Sequence, residues 1–591
     1  MTHSSPSPLR TGAGPPLAAS PGELPPAGPH LTHEVLNQVA PLTGHDVADD
    51  PALLAALDRE GASWAAAELH ELGRLAGSAA TRELARLANE NRPVLRSYDS
   101  RGNRIDEVEF HPAWHALMET AVRHGLHAAP WADAAPGSHV ARAAKFYVWT
   151  QAEAGHGCPI SMTYAALPAL RHEPPLAARF GPLLTARVYD PGLRAPDGKH
   201  GLLAGMAMTE KQGGSDVRAN TTRAVPAGAG CYQLTGHKWF CSAPMCDLFL
   251  VLAQAPEGLS CFLLPRVLPD GSRNAMRVQR LKDKLGNSSN ASAEVEYDAA
   301  SAWLVGEPGR GVRTIIEMVS ATRLDCVLGS AAAIRQACVA AVHYTGARDS
   351  FGRKLISHPL MAAVLADLAL ESEAATTLAI RLAGAAGAAA GGDGGQAALL
   401  RIALPAAKYW VCKRVPAVAA EALECLGGNG YVEESGMPRI YRDAPLNSIW
   451  EGSGSVTALD VLRALARSPE SGDALLAEAE LAAGADRRLD RALTGLRRSV
   501  GAAAAALSGG ETAGREAEFL ARRLAGLIAL VLQAGLLVRH APAAVADAFC
   551  GSRLDPAGAA GVSGPGLPFG MLPGGTDLTA ILGRARAVAA R

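Results

Sequence analysis

Five short stretches of this 591-residue chain combine residue types that can do chemistry. Asn447–Ser455, NSIWEGSGS, sets a lone carboxylate, Glu451, after an aromatic and before small residues. A carboxylate among apolar neighbours rises in pKa and can serve as a general base; the plain alternative is a surface glutamate in a loop. Met208–Val217, MTEKQGGSDV, offers two hydroxyls, Thr209 and Ser215, and adjacent glycines that let backbone approach a ligand closely, or else an ordinary turn. Gly236–Ser242, GHKWFCS, reads as a strand with an aromatic pair and a hydroxyl, or as core plus surface. Arg348–Gly352, RDSFG, carries an arginine able to clamp a pyrophosphate in bidentate fashion, or to close a helix-end salt bridge. Glu424–Ser435, ECLGGNGYVEES, suggests a helix C-cap and a tight turn. No strand precedes it, so it is not a dinucleotide fingerprint; the same objection applies to GEPGRG at 306–311, a turn opening a helix.

Apolar residues at three- and four-residue steps predict helices over 46–90, Trp114–Leu126 and Val140–Gln151, so the N-terminal region reads as all-helical. From about 204 to 304 the pattern changes to short β-rich runs separated by Gly, Pro and Asn signals. Helical periodicity returns at Val312 and continues through Leu360–Leu382 and Ala397–Leu426. The stretch GAAGAAAGGDGG, 384–395, reads as a flexible loop between helices of an antiparallel bundle. An Ala- and Arg-rich helical segment follows at 466–545, then a Gly/Pro-rich stretch at 551–575 and a final helix near Asp577–Ala590. The expected architecture is mainly α with a small central β domain. Its parts are a disordered tail (1–33), an N-terminal helical domain (34–203), a β domain (204–305), a helical bundle (306–465) and an extra C-terminal helical domain (466–591).

Composition narrows the function classes. Net charge is -1, so no whole-chain basic excess points to nucleic acid, and any such surface must be local. The ten cysteines form no CxxC pair, which speaks for reduced thiols and against a zinc site or a disulfide framework. The first thirty residues lack the apolar region of a signal peptide. The apolar run Gly526–Val538 is shorter than the roughly 20 residues a bilayer demands and reads as a buried helix. The expectation is a cytoplasmic protein with no membrane span and no metal.

The order of the motifs says more than each alone. A helical domain, a β domain opening on MTEKQGGSD, then a bundle carrying RDSFG, LGGNGY and WEGSG resembles the acyl-CoA dehydrogenase superfamily over about 140–465. Longer runs, among them SYDSRGNRIDEVEFHPAW, CPISMTYAALP and LSCFLLPRVLPDGSRNAMRVQRLKDKLGNSSNASAEVEY, resemble its branch of flavoproteins in the adaptive response to alkylating agents, over about 34–540. The resemblance implies FAD between the β domain and the bundle. It implies that Met206, Met208, Thr209, Gly214 and Ser215 line the flavin and its pyrophosphate, with Phe240, Cys241 and Ser242 beside the ring. Ile449, Trp450, Gly452, Ser453 and Ser455 form the loop next to it. Arg348 and Phe351 reach the FAD of a neighbouring subunit, and Leu426, Gly427 and Gly428 form the adenine-side turn, which implies a homotetramer. Glu451 stands where the family has its catalytic base, which takes the α-proton of an acyl-CoA thioester while a hydride leaves the β-carbon. Thr322-Arg323 stands where the family has Glu-Arg.

The resemblance further implies double-stranded DNA as a partner, and an acyl-CoA or an alkylating small molecule as ligand. The expected function is protection of DNA from alkylation, with at most weak dehydrogenase activity; the alternative is a short- or branched-chain acyl-CoA dehydrogenase using Glu451. From 484 to 591 there are thirteen arginines, no lysine and eight acidic residues. Arg487, Arg488, Arg491, Arg497 and Arg498 can share a helix face suited to phosphates, and Arg463 joins them as a candidate. Asp486 and Asp490 lie among them, so a salt-bridged, solvated face is the competing reading.

Overall fold

The computed structural model describes residues 32–228, 230–555 and 568–587. The expected disordered tail lies outside these residues up to position 31, as do residues 556–567 of the Gly/Pro-rich stretch. Residues 32–40 form a separate unit without helix or strand; the remainder, from Pro41, is one compact body.

The body opens with α1 (Pro51–Arg59), α2 (Ala66–Ala76), α3 (Ala79–Glu90), α4 (Pro112–Arg123), α5 (Ala129–Ala132), α6 (Ser138–Thr150), α7 (Gly157–Leu170) and α8 (Pro174–Leu184). Local chemistry sets the starts. The Asp50 side chain accepts from the Ala52 N–H ahead of a proline at the first position of α1, and Ser78 caps α3 in the same way. The region is not all-helical, however. A hairpin, β1 (Val94–Tyr98) with β2 (Arg104–Glu109), interrupts it. Its alternation is hard to see because both strands are half-exposed and rich in charge.

Seven strands follow: β3 (Ala204–Ala207), β4 (Arg223–Gly228), β5 (Cys231–Ser242), β6 (Leu248–Ala255), β7 (Gly258–Pro265), β8 (Met276–Leu281) and β9 (Ser292–Val305). Their order is β3-β5-β4-β6-β7-β9-β8, and additional pairings β3–β6 and β5–β9 roll the sheet up on itself. The apolar run of β6 is buried on both faces. Inside the sheet the ammonium of Lys238 donates to Glu210 at 2.8 Å with both side chains fully buried. Burial lowers Lys238 to about 8 despite the partner carboxylate.

The bundle is α9 (Gly311–Ala347), the short hairpin β10 (Asp349–Ser350) and β11 (Arg353–Lys354), α10 (Pro359–Ala390), α11 (Gly394–Cys425), α12 (Met437–Asp443) and α13 (Gly454–Arg467). The Ala/Gly run at 384–395, expected as a loop, stays helical to Ala390, and only three residues link α10 to α11. Alanine's helix propensity outweighs the isolated glycines. The last layer is α14 (Glu470–Glu480), α15 (Arg487–Ser508), α16 (Glu511–His540), α17 (Ala543–Arg553) and α18 (Leu578–Arg584). The stretch expected to turn Gly/Pro-rich from 551 is still helix through Arg553. Helices α9 and α16 are long and apolar enough to cross a membrane, but both are mostly buried in the body. Arg553 ties the last layer to α10 through buried ion pairs with Asp367 and Glu371, and Arg584 adds a pair with Glu373 at 2.6 Å.

Candidate active site

Glu451 stands in the ten-residue link between α12 and α13 with a left-handed backbone, φ +57°. A non-glycine residue held there costs on the order of 1–3 kcal/mol, so the surroundings must over-determine it. They do so through buried cations. Lys408, from the middle of α11, donates to the carbonyls of Asn447 at 3.0 Å and Gly452 at 2.8 Å, bracketing the turn. Arg323, from α9, donates to the Glu451 carbonyl at 2.9 Å and pairs with Asp460 of α13 at 2.6 Å. The Trp450 indole N–H donates to Asn447 at 2.9 Å. The Glu451 carboxylate is thus aimed rather than free. It accepts from the Thr322 hydroxyl at 2.7 Å, and burial raises its pKa against the opposing pull of Thr322, Lys408 and Arg323. Glu451 and Thr322 line a cleft of about 920 Å³, open mouth included, between α6, α7, α9, α11 and α12. Thr322 was visible in the sequence only as a departure from the family pattern. Lys408 was missed altogether, although a lone lysine inside LPAAKYWV is a signal.

The other candidate residues fall into three groups. In the first, the β3–β5 ladder pairs Met206 with Ser242 and Ala207 with Cys241, and Trp239 N–H donates to the Thr209 carbonyl at 2.8 Å. Met208, Thr209, Cys241, Ser242 and Phe240 therefore meet at one edge of the sheet. A Cβ on Gly214 would lie 2.4 Å from the Thr209 hydroxyl, so this loop folds tightly only with glycine. Ser215 is exposed. Phe240 is 47% exposed on a strand otherwise packed around it. The second group is the loop Ile449, Trp450, Gly452, Ser453 and Ser455. Trp450 packs into the same apolar cluster as Met206 and Met208, which joins the first two groups into one site. A half-exposed aromatic ring, exposed Ile449 and exposed hydroxyls at Ser215, Ser453 and Ser455 fit a flat heteroaromatic cofactor carrying phosphate, as FAD does.

The third group lies elsewhere. Arg348 and Phe351 follow the C-terminal end of α9, about 38 Å along that helix from Arg323 at ~1.5 Å per residue. Leu426, Gly427 and Gly428 end α11 beside them, where Asn429 donates to the Tyr344 hydroxyl at 2.8 Å. Phe351 is 95% exposed at the hairpin tip, φ +51°. No single cofactor can touch this group and the Glu451 group of the same chain.

The arginine candidates divide too. On α15, Arg488 pairs with Asp486 and Asp547, Arg491 with Asp555 and Arg497 with Glu480. Arg463, Arg487 and Arg498 are exposed, with no carboxylate within salt-bridge distance among the described residues. All ten cysteines are free thiols, and no cluster of metal-ligating side chains occurs among the described residues.

Known proteins match this architecture. Residues 37–191 fit the adaptive response protein AidB N-terminal domain, 205–300 the acyl-CoA dehydrogenase middle domain and 309–466 its C-terminal domain. The chain is 46% identical to AidB of Escherichia coli (strain K12) over 532 residues, 89% of this chain and 95% of that one. It is 31% identical to acyl-CoA dehydrogenase family member 11 of Caenorhabditis elegans, over 72% of each chain. The crystal structure of Caenorhabditis elegans ACDH-11 in complex with C11-CoA superposes with a TM-score of 0.79 at 27% identity, over 88% of this chain and 94% of that one. Bd2924 in its apo form gives 0.76 at 29% identity, over 85% and 100%. The chain belongs to the acyl-CoA dehydrogenase family, as an FAD flavoprotein of its AidB branch.

Proposed function

We propose that the chain acts on acyl-CoA thioesters in the Glu451 cleft, and that its C-terminal helices associate with double-stranded DNA as part of an alkylation response. The observation that carries the first half is the aimed, half-buried Glu451 carboxylate at the mouth of a cleft continuous with the flavin-side residues. Bound FAD supplies the hydride acceptor. The chain does the rest. Met206, Met208, Thr209, Gly214, Ser215, Phe240, Cys241 and Ser242 hold one side of the cofactor, and the 449–455 loop the other. Glu451 takes the α-proton as the hydride leaves the β-carbon, so a 2,3-enoyl thioester results. Lys408 and Arg323 keep the loop backbone still, and Thr322 holds the carboxylate on its target. Arg348, Phe351 and Leu426–Gly428 lie too far away to serve this site, and in a second copy of the chain they complete it. That requirement supports a homotetramer. Bleaching of the flavin absorbance by a panel of acyl-CoA thioesters tests the reading; no bleaching with any of them refutes it.

The DNA half rests on the likeness to AidB and on the exposed Arg463, Arg487 and Arg498. Such binding is electrostatic, sequence-independent and weakened by salt. A cytoplasmic location goes with it. Protection of DNA from alkylation, by inactivating alkylating agents beside the duplex, is the role that joins the two halves. A duplex titration of the holoprotein at two salt concentrations checks it, and absence of binding at low salt removes it. A short- or branched-chain dehydrogenase with no DNA role is then what remains.

A further inference from the structure

The cleft at Glu451 is much longer than a proton transfer needs, and its two ends differ in chemistry. Along α9 its wall runs from Thr322 through Cys326, Gly329 and Ala333 to Gln336, a span of about 21 Å at ~1.5 Å per residue. Helix α6 lies alongside in the same sense: Arg142 pairs with Asp325, Phe146 lies against Gly329, and Gln151 ends the row. On the opposite wall the chain runs back from Glu451 through Asn447 and Asp443 to Arg439, whose guanidinium donates to the Ala152 carbonyl at 3.2 Å. Glu451 and Thr322 therefore mark one end, and Gln151, Gln336 and Arg439 the other. Between them Gly329 leaves the channel clear: a Cβ there would only touch Asn447 and Phe146, at 3.7 and 4.0 Å.

Asn287 belongs to the far half. Its backbone N–H donates to Asp443, and its side chain lies beside Gly155 and Glu153. It is 3% exposed, lines the cavity, and its amide Nδ2 has no hydrogen-bond partner among the described residues. Its φ is +54°. A buried, unused donor on a left-handed non-glycine residue is what a ligand-binding position looks like before the ligand arrives. The charges around it sort the candidates. Arg439 and Lys284 both act on the carboxylates Glu153 and Asp443, so the charges at the far end are already matched and leave no spare cation for an anion. Glu153 is already saturated by Asn89, Gly155, His156 and Ser289.

We propose that the cleft is built for a long-chain acyl thioester bearing a neutral hydroxyl near its far end, which accepts from Asn287 Nδ2 and donates to Asp443. This rests on the acyl-thioester reading above. The test is calorimetric titration of the anaerobic holoprotein with butanoyl-CoA, dodecanoyl-CoA, its ω-hydroxy derivative and its ω-carboxy derivative. The ω-hydroxy thioester is expected to bind at least ~10-fold tighter than dodecanoyl-CoA, and the ω-carboxy thioester more weakly than either, since a site built to pair a hydroxyl discriminates against its absence. Asn287→Gly, which keeps the left-handed backbone, should remove that preference and bring the ω-hydroxy and unsubstituted dodecanoyl thioesters to equal affinity. Gly329→Leu should block the dodecanoyl chain and spare butanoyl-CoA. Equal or weaker binding of the ω-hydroxy thioester to the unsubstituted protein overturns the proposal while leaving the acyl-thioester reading intact. Failure of all four thioesters, butanoyl-CoA included, overturns both.

Discussion

The Glu451 loop and helix α15 are both short charged stretches, and the fold treats them in opposite ways. At Glu451 buried cations from two other helices fix the backbone, and a hydroxyl aims the side chain. On α15 four of the five candidate arginines are exposed to water, and three of the five are spent on neighbouring carboxylates. Charge inside low-dielectric surroundings is expensive, so it persists only where many groups hold it, whereas exposed pairs are worth ~0–1 kcal/mol. The first region carries chemistry in its geometry. The second carries at most a field.

Substitutions can sharpen or break that contrast. The largest effect is expected from Glu451→Gln. Flavin bleaching by an acyl-CoA should slow by about 10²–10⁴-fold, the usual worth of a positioned base. Thermal stability should hold or rise, because a carboxyl whose pKa is raised on folding loses stability as pH climbs through that pKa. A large drop in melting temperature would mean Glu451 is chiefly structural. Next comes Arg553→Ala. It strands Asp367 in the interior, leaves Glu371 to Arg414 alone, and should cost about 3–5 kcal/mol, read by denaturant unfolding. A negligible change would show that the last layer is not anchored there. A smaller effect follows from Thr322→Val. The bleaching rate should rise with pH through an inflection above the ordinary glutamate range, since only the ionised base works. Loss of the hydroxyl donor, which pulls the Glu451 pKa down, should move that inflection further up. The smallest effects belong to α15 and its neighbour. Arg463→Ala and Arg498→Ala should each lower the salt slope of duplex binding by about one, and Arg497→Ala by less, because Glu480 already neutralises it at 2.9 Å. Equal effects at all three would mean the ion pair opens freely.

The same contrast explains what the sequence disclosed. Glu451, the MTEKQGGSD loop and the LGGNGY turn are local patterns, readable because neighbouring residues make the turn and the cap. Lys408 and Thr322 act on the loop from 44 and 129 residues away, and no local window contains that information. The β1–β2 hairpin escaped because exposed strands lose the apolar alternation that betrays them. The run at 384–395 was misread in the other direction: glycines suggested a loop where alanine and packing held a helix. Arginine spacing on α15 was legible, but its partners Asp547 and Glu480 come from other helices, so whether the face is free or paired was not.

The central claim is that this flavoprotein performs acyl-thioester chemistry at Glu451. Anaerobic titration of the yellow holoprotein with dodecanoyl-CoA tests it most directly, followed by the visible absorbance of the flavin. Stoichiometric bleaching, lost in Glu451→Gln while the thioester still binds, is the predicted result. Tight binding with an unbleached flavin in the unsubstituted protein would contradict it.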